Sequence, residues 1–303
     1  MKTAIERWPE LRTKAWEETY ATLHMWTQIV GKIRLAQTPL INHWWNVTFY
    51  VTARGLTTSP MPYKNLNFQI DFDFIDHRLL IICDDGRSES IPLEARSVAD
   101  FYRIVMSTLS RLGIEIKIWS MPVEIENPIR FELDQKHASY DPEYANRLWK
   151  ILTQCARVMT QFRASFIGKC SPVHFFWGGF DMAVTRFSGR TAPPREDAMN
   201  REAYSHEVIS HGFWPGMHAS GAIAPSVPSP VFYAYAAPEP QGFSEAPIRP
   251  KQASYNPVFK EFFLPYDDVR QSKDPDAMLM EFMQSTYEAG ATLAKWNRSE
   301  LER

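Results

Sequence analysis

The chain has 303 residues, of which 22% are charged and 45% hydrophobic, with a formal net charge of −2. That composition describes a globular protein, large enough for one big domain or two ordinary ones, and excludes intrinsic disorder. The near-neutral balance leaves no general basic field for nucleic acid, and no apolar run is long enough to span a bilayer.

The cysteines, Cys83, Cys155 and Cys170, are widely spaced and form no CxxC pair. They fit a reducing compartment and not a zinc site. The N-terminal stretch is polar and lacks the apolar core of a signal peptide, so a cytoplasmic location is expected.

Pro9 to Gln37 reads as a long helix, with Leu11, Ala15, Leu23, Trp26, Ile29, Val30 and Ile33 on one stripe. Pro9 suits its first turn, and Thr38-Pro39 stops it. Trp45 to Arg54 then alternates apolar and polar residues and predicts a strand. Phe68 to Phe74 does the same, and Leu79 to Cys83 is a further strand followed by an Asp85-Gly86 turn. Ser97 caps an amphipathic helix to Leu112, with Gly113 past its end. Ile114 to Trp119 is expected to return as a strand.

A second long helix starts at Asp141-Pro142 and runs to about Phe166, stopped by Ser171-Pro172. A strand-rich stretch and a closing helix, Ala277 to Trp296, follow. Ala224 to Pro230 and Pro238 to Pro250 read as proline-rich loops. This order repeats that of the first half. Shifting the chain by 133 positions gives seven identities over the 37 positions 16–52, among them Trp16 with Trp149, Pro39 with Pro172 and Trp44 with Trp177. About two would arise from ordinary composition. The expected fold is therefore α+β, two related halves made by internal duplication. Each half has a long helix, an antiparallel sheet and a closing helix, over residues 1–138 and 139–303.

Reactive and backbone-permissive residues concentrate between Ser171 and Gly216. Asp181 and Thr185 share one strand face, and Arg186 points away from Asp181. Arg186, Ser188, Gly189 and Arg190 look like an anion-binding turn, since a guanidinium matches carboxylate or phosphate. The competing reading is an internal salt bridge to Asp181, Glu202 or Glu207. The string from His206 to His211 tempts a metalloprotease reading but fails on spacing: HExxH needs histidines four apart, and these are five apart. No metal site is assigned. Asp71 and Asp73 share a strand face, where paired carboxylates can do acid/base work, but a solvated edge face is the favoured reading. No nucleophile triad, phosphate loop or cofactor motif is present.

The strings NHWW, VTARGLTT, SVADFY, SPVHFFWGGFDMAVTRFSGR, YSHEVISHGFWPG and STYEAGA resemble those of a bacterial family, the domain-of-unknown-function family numbered 5996. The resemblance runs from the first tryptophan-proline pair to the final helix. It implies a bacterial soluble protein of one family whose motifs span the chain, and carries over no activity, cofactor or substrate.

The residues themselves lead to two expectations. The first is a polar cleft between the halves that binds a small, anionic molecule and is able to act as an enzyme. Asp181, Tyr204, His206 and Glu207 would move protons there, and His174, Arg186, Ser188 and Arg190 would hold the ligand. The second is a non-catalytic interaction module that uses its aromatic and proline-rich surface.

Overall fold

The computed structural model describes residues 6–216 and 227–303. Helix α1 (Thr13–Gln37) opens the chain, four residues later than Pro9 suggests. It is the central post of the molecule, buried without interruption from Thr22 to Arg34. A helix buried all round must satisfy its own polar residues. His24 Nε2 lies 2.8 Å from the Gly178 carbonyl, and Gln28 exchanges two hydrogen bonds with the backbone of Val123, at 2.7 and 2.8 Å.

After a 3-10 turn (Asn42–Trp44) come β1 (Tyr50–Val51), β2 (Gly55–Thr57), β3 (Met61–Tyr63), β4 (Leu66–Asp73), β5 (Arg78–Cys83) and β6 (Ser88–Pro92). They form an antiparallel sheet in the order β1-β2-β4-β5-β6, with β3 also on β4. Helix α2 (Val98–Arg111) closes this half and packs on α1 and β6. Ser97 Oγ caps it by accepting from the Asp100 N–H at 3.1 Å.

Helix α3 (Pro142–Ala164) begins where Asp141 accepts from the Glu143 and Tyr144 N–H groups, with Pro142 in the first turn. Its sheet holds β7 (His174–Phe176), β8 (Asp181–Thr191), β9 (His206–Trp214), β10 (Val231–Ala237), β11 (Ser254–Asn256) and β12 (Glu261–Pro265). Their order is β11-β12-β10-β9-β8-β7, with a short α4 (Ala198–Ala203) between β8 and β9. Helices α5 (Tyr266–Arg270), α6 (Pro275–Leu293) and α7 (Arg298–Leu301) end the chain, and α6 packs on α3, β9 and β10.

Each half thus runs long helix, antiparallel sheet, closing helix. Their buried apolar residues form one continuous core. The sheets meet edge to edge where Phe49 and Phe175 exchange N–H···O bonds of 2.9 Å in both directions.

Several expectations need correction. The strand expected from Trp45 to Arg54 shrinks to Tyr50–Val51, because His43 and Trp44 adopt left-handed backbone (φ 59° and 60°) and turn the chain. Ile114 to Trp119 joins neither sheet; its Glu115 N–H donates instead to Tyr63 Oη at 3.0 Å. The offset of 133 is not that of the structure. It lays the turn Asn42–Trp44 on β7, whereas the ends of α1 and α3, Gln37 and Ala164, fit a shift smaller by several residues. Of the expected loop Ala224 to Pro230, residues 224–226 lie outside the described residues.

Candidate functional site

The second sheet has two unlike faces, because strand side chains alternate. One carries Met182, Val184, Ile209, Phe213, Phe232, Ala234, Phe262 and Leu264 in cross-strand rows. This face packs on α3 and α6. His211 lies on it, 2.9 Å from Thr286 Oγ1 and edge-on to Phe162. Burial drives its imidazolium down to about pKa 3. Arg186 lies there too, 1% exposed, stacked on Phe162 and Tyr287 and donating to the Phe162 carbonyl and Ser165 Oγ.

The other face is polar. Its cross-strand rows place Ala183 beside Gly212 and Tyr233, and Thr185 beside Ser210 and Tyr235. Continuing the β10–β12 register brings Glu261 beside Tyr235. The glycine has a local reason: a Cβ on Gly212 would sit 2.1 Å from Tyr233 Cζ, so only glycine lets that ring lie across β9. Tyr233 thereby reaches Asp181 and donates its hydroxyl proton to Oδ2. Tyr235 stacks on Tyr233 at 6.2 Å between centroids, and its hydroxyl meets that of Tyr204 at 3.2 Å. Thr185 and Ser210 share a hydrogen bond of 2.9 Å. Trp214 packs on Tyr233 with centroids 4.5 Å apart and extends the aromatic wall.

Glu124 approaches from the connection between the halves. The His24 and Gln28 bonds pin its neighbours Val123 and Gly178 to α1, and Glu124 itself takes a left-handed φ of 55°. Its carboxylate lies over Gly178 and Gly179. The point where a Cβ on Gly179 would sit is 3.5 Å from Glu124 Oε2 and 2.9 Å from Asp181 Oδ1. Two carboxylates therefore converge on one glycine turn.

Among the described residues none of Asp181, Glu124 and Glu261 pairs with a cation. Burial pushes the Asp181 carboxyl up to about pKa 7; the Tyr233 bond opposes the rise and Glu124 adds to it. Burial likewise lifts Glu261 to about 8, with the Asp181 charge adding. Oε2 of Glu261 is buried without a hydrogen-bond partner. Glu124 is exposed on the same side, yet the protein around it raises its carboxyl.

Of the residues singled out in the sequence, Asp181 and Tyr204 belong to this cluster. His206 is on β9 at its far end, 5.7 Å from the His43 ring, and bonds Ser205 Oγ. His174 is buried on β7 beside Tyr50, 3.4 Å from its hydroxyl, with Nδ1 unpartnered. Glu207 is held by Arg190 at 2.6 Å. Arg190 also donates to the Ala294 and Lys295 carbonyls at the end of α6, so its guanidinium is engaged within the protein. Ser188 Oγ accepts the Arg190 N–H and serves the turn. The two arginines therefore do not meet, and neither reaches Asp181. Sequence reading missed Tyr233, Tyr235, Glu261 and Glu124. The alternating Tyr233-Ala234-Tyr235-Ala236 offered one signal, a polar face opposite small residues; the two glutamates offered none.

A family profile described as a family of unknown function (DUF5996) matches residues 8–303, so the chain belongs to that family. No curated protein matches the chain. No solved structure matches it either.

Proposed function

We propose that the polar face of the second sheet is a binding site for a small organic molecule that carries a positive charge. One observation carries the reading: Asp181 and Glu124 meet over one glycine turn, Glu261 lies near enough for the Asp181 charge to act on it, and among the described residues no protein cation neutralises any of the three. An uncompensated buried carboxylate is costly, and it is retained where a proton or a ligand supplies the missing charge. Aromatic faces at Trp214, Tyr233 and Tyr235 suit an ammonium or guanidinium. An anion there would meet three carboxyl groups, which turns the sign of the ligand expected from Arg186 and Arg190. Asp181, with Tyr233 on it, is also placed to give or take a proton near neutrality.

Thermal unfolding in the presence of alkylamines, diamines and alkylguanidines, set against carboxylates and phosphates of similar size, tests this. The amine or guanidine series stabilises the protein, by about 2.7 kcal/mol at a hundred times its Kd. Asp181→Asn with Glu261→Gln abolishes the effect. Stabilisation by the anions, or an unchanged response in the double variant, would remove the proposal.

We also infer that the halves descend from one duplicated unit, supported by the shared order of long helix, antiparallel sheet and closing helix. The three free cysteines and the family resemblance support a bacterial, cytoplasmic setting.

A further inference from the structure

A second cluster sits at the far end of the same sheet face. Lys169 Nζ lies 2.6 Å from His43 Nε2. The imidazole cannot rotate away. Its Nδ1 is 3.1 Å from the Ala203 carbonyl, which only a protonated Nδ1 can serve, so Nε2 presents a bare lone pair to Lys169. The backbone N–H of His43 donates to Glu202 Oε1 at 3.0 Å, and Trp44 Nε1 donates to the Met199 carbonyl at 3.0 Å. His43 and Trp44 both hold left-handed backbone, a conformation that persists only where surroundings enforce it. The Lys169 amine rests against Phe187 and Trp45, 4.9 and 5.4 Å from their ring centroids, and no carboxylate pairs with it among the described residues. Lys169 is nevertheless exposed.

We propose that Lys169 is a nucleophilic amine, with His43 as its proton acceptor, that condenses with the carbonyl group of an aldehyde or ketone. His43 Nε2 takes a proton from the ammonium, and the freed amine nitrogen attacks the carbonyl carbon. The carbonyl oxygen receives a proton back from His43 to give a carbinolamine. His43 then carries one N–H proton from the attacking nitrogen to that hydroxyl, which leaves as water, and the nitrogen lone pair closes the C=N bond of an iminium on Lys169. Carbonyl compound plus ammonium becomes iminium plus water, with no change in charge or oxidation state.

The surroundings favour the neutral amine. Desolvation by the surrounding protein lowers the affinity of both Lys169 and His43 for a proton, and the charges of Lys169 and then His206 add to that on the ring. Glu202 acts the other way on both. Each unit by which a lysine pKa falls gives about ten times more free amine at neutral pH. The site needs none of Asp181, Glu124 or Glu261, so it stands or falls apart from the proposed cation site.

The test is reductive trapping. The intact protein is treated at neutral pH with benzaldehyde and sodium cyanoborohydride, whose hydride reduces the iminium to a secondary amine. Peptide mass spectrometry then gives a rate for each lysine. Lys169 labels at least about tenfold faster than the exposed Lys251 and Lys260. His43→Asn, which tolerates left-handed backbone, brings Lys169 down to their rate. Lys169→Arg removes the fast-labelled site altogether. Labelling of Lys169 no faster than Lys251 and Lys260 in the unaltered protein would overturn the proposal, and that comparison needs no variant to fold. Fast labelling that persists in folded His43→Asn would overturn the role of His43.

Discussion

Tyr233 on β10 lies across Gly212 on β9 and donates its hydroxyl proton to Asp181 on β8. Three strands thus contribute to one contact, and the middle one contributes an absence of side chain. Gly212→Ala should break it. The new methyl meets the Tyr233 ring, a rigid and fully buried group, and overpacking of this kind costs about 1–3 kcal/mol. A denaturant midpoint measures the loss. Tyr233→Phe keeps the ring and removes only the hydroxyl, at a cost of about 1 kcal/mol.

Asp181→Asn should stabilise the protein in mild alkali. The folded Asp181 carboxyl is raised to about 7 from an ordinary 3.8. Between those values the folded state keeps a proton that the unfolded chain loses, so this group's contribution to stability falls as pH rises. An asparagine has nothing to lose. The variant should match the parent near pH 4 and exceed it by on the order of 1–3 kcal/mol near pH 8. Chemical denaturation at the two pH values checks it, and a constant difference would mean that Asp181 titrates normally.

His211 acts in the opposite direction. Its folded pKa is lowered to about 3 from 6.5, so the unfolded chain binds the extra proton and stability is lost as pH falls through that window. His211→Gln should flatten the decline between pH 6.5 and pH 4, which for one such site is on the order of 3 kcal/mol. Thermal melts across that range decide.

The two arginines separate by burial. Arg186 is a buried cation stacked on aromatic rings, and Arg186→Ala leaves a cavity and removes a donor from the Phe162 carbonyl and Ser165 Oγ, for about 3 kcal/mol or more. Arg190 is half exposed, and solvent screens its pairing with Glu207 and the end of α6. Arg190→Ala should cost about 1 kcal/mol.

The sequence made the helices legible where local chemistry fixes them. Asp141 with Pro142 and Ser97 with Asp100 start α3 and α2 as their capping residues indicate. The start of α1 at Thr13 was less legible, since Arg12 caps it with no side-chain bond. The alternation after Trp45 looked like a strand, but Trp45 packs on Phe187 and His174 of the other sheet, and that contact is invisible along the chain. The same holds for the site. Asp181 and Tyr204 stood in a dense motif. Glu124 and Glu261 reach it from segments on either side, by a helix-pinned connection and by strand order. Neither is written in local periodicity.

The central claim is that the polar face of the second sheet holds carboxyl groups awaiting a positive charge. Carboxyl-carbon NMR titration of Asp181, assigned by its loss in Asp181→Asn, tests this most directly. The account predicts a midpoint near pH 7 in the free protein, moving down when an alkylamine or alkylguanidine binds. A midpoint near the ordinary 3.8 would contradict it, because an unbound carboxylate that ionises normally has no missing charge for a ligand to supply.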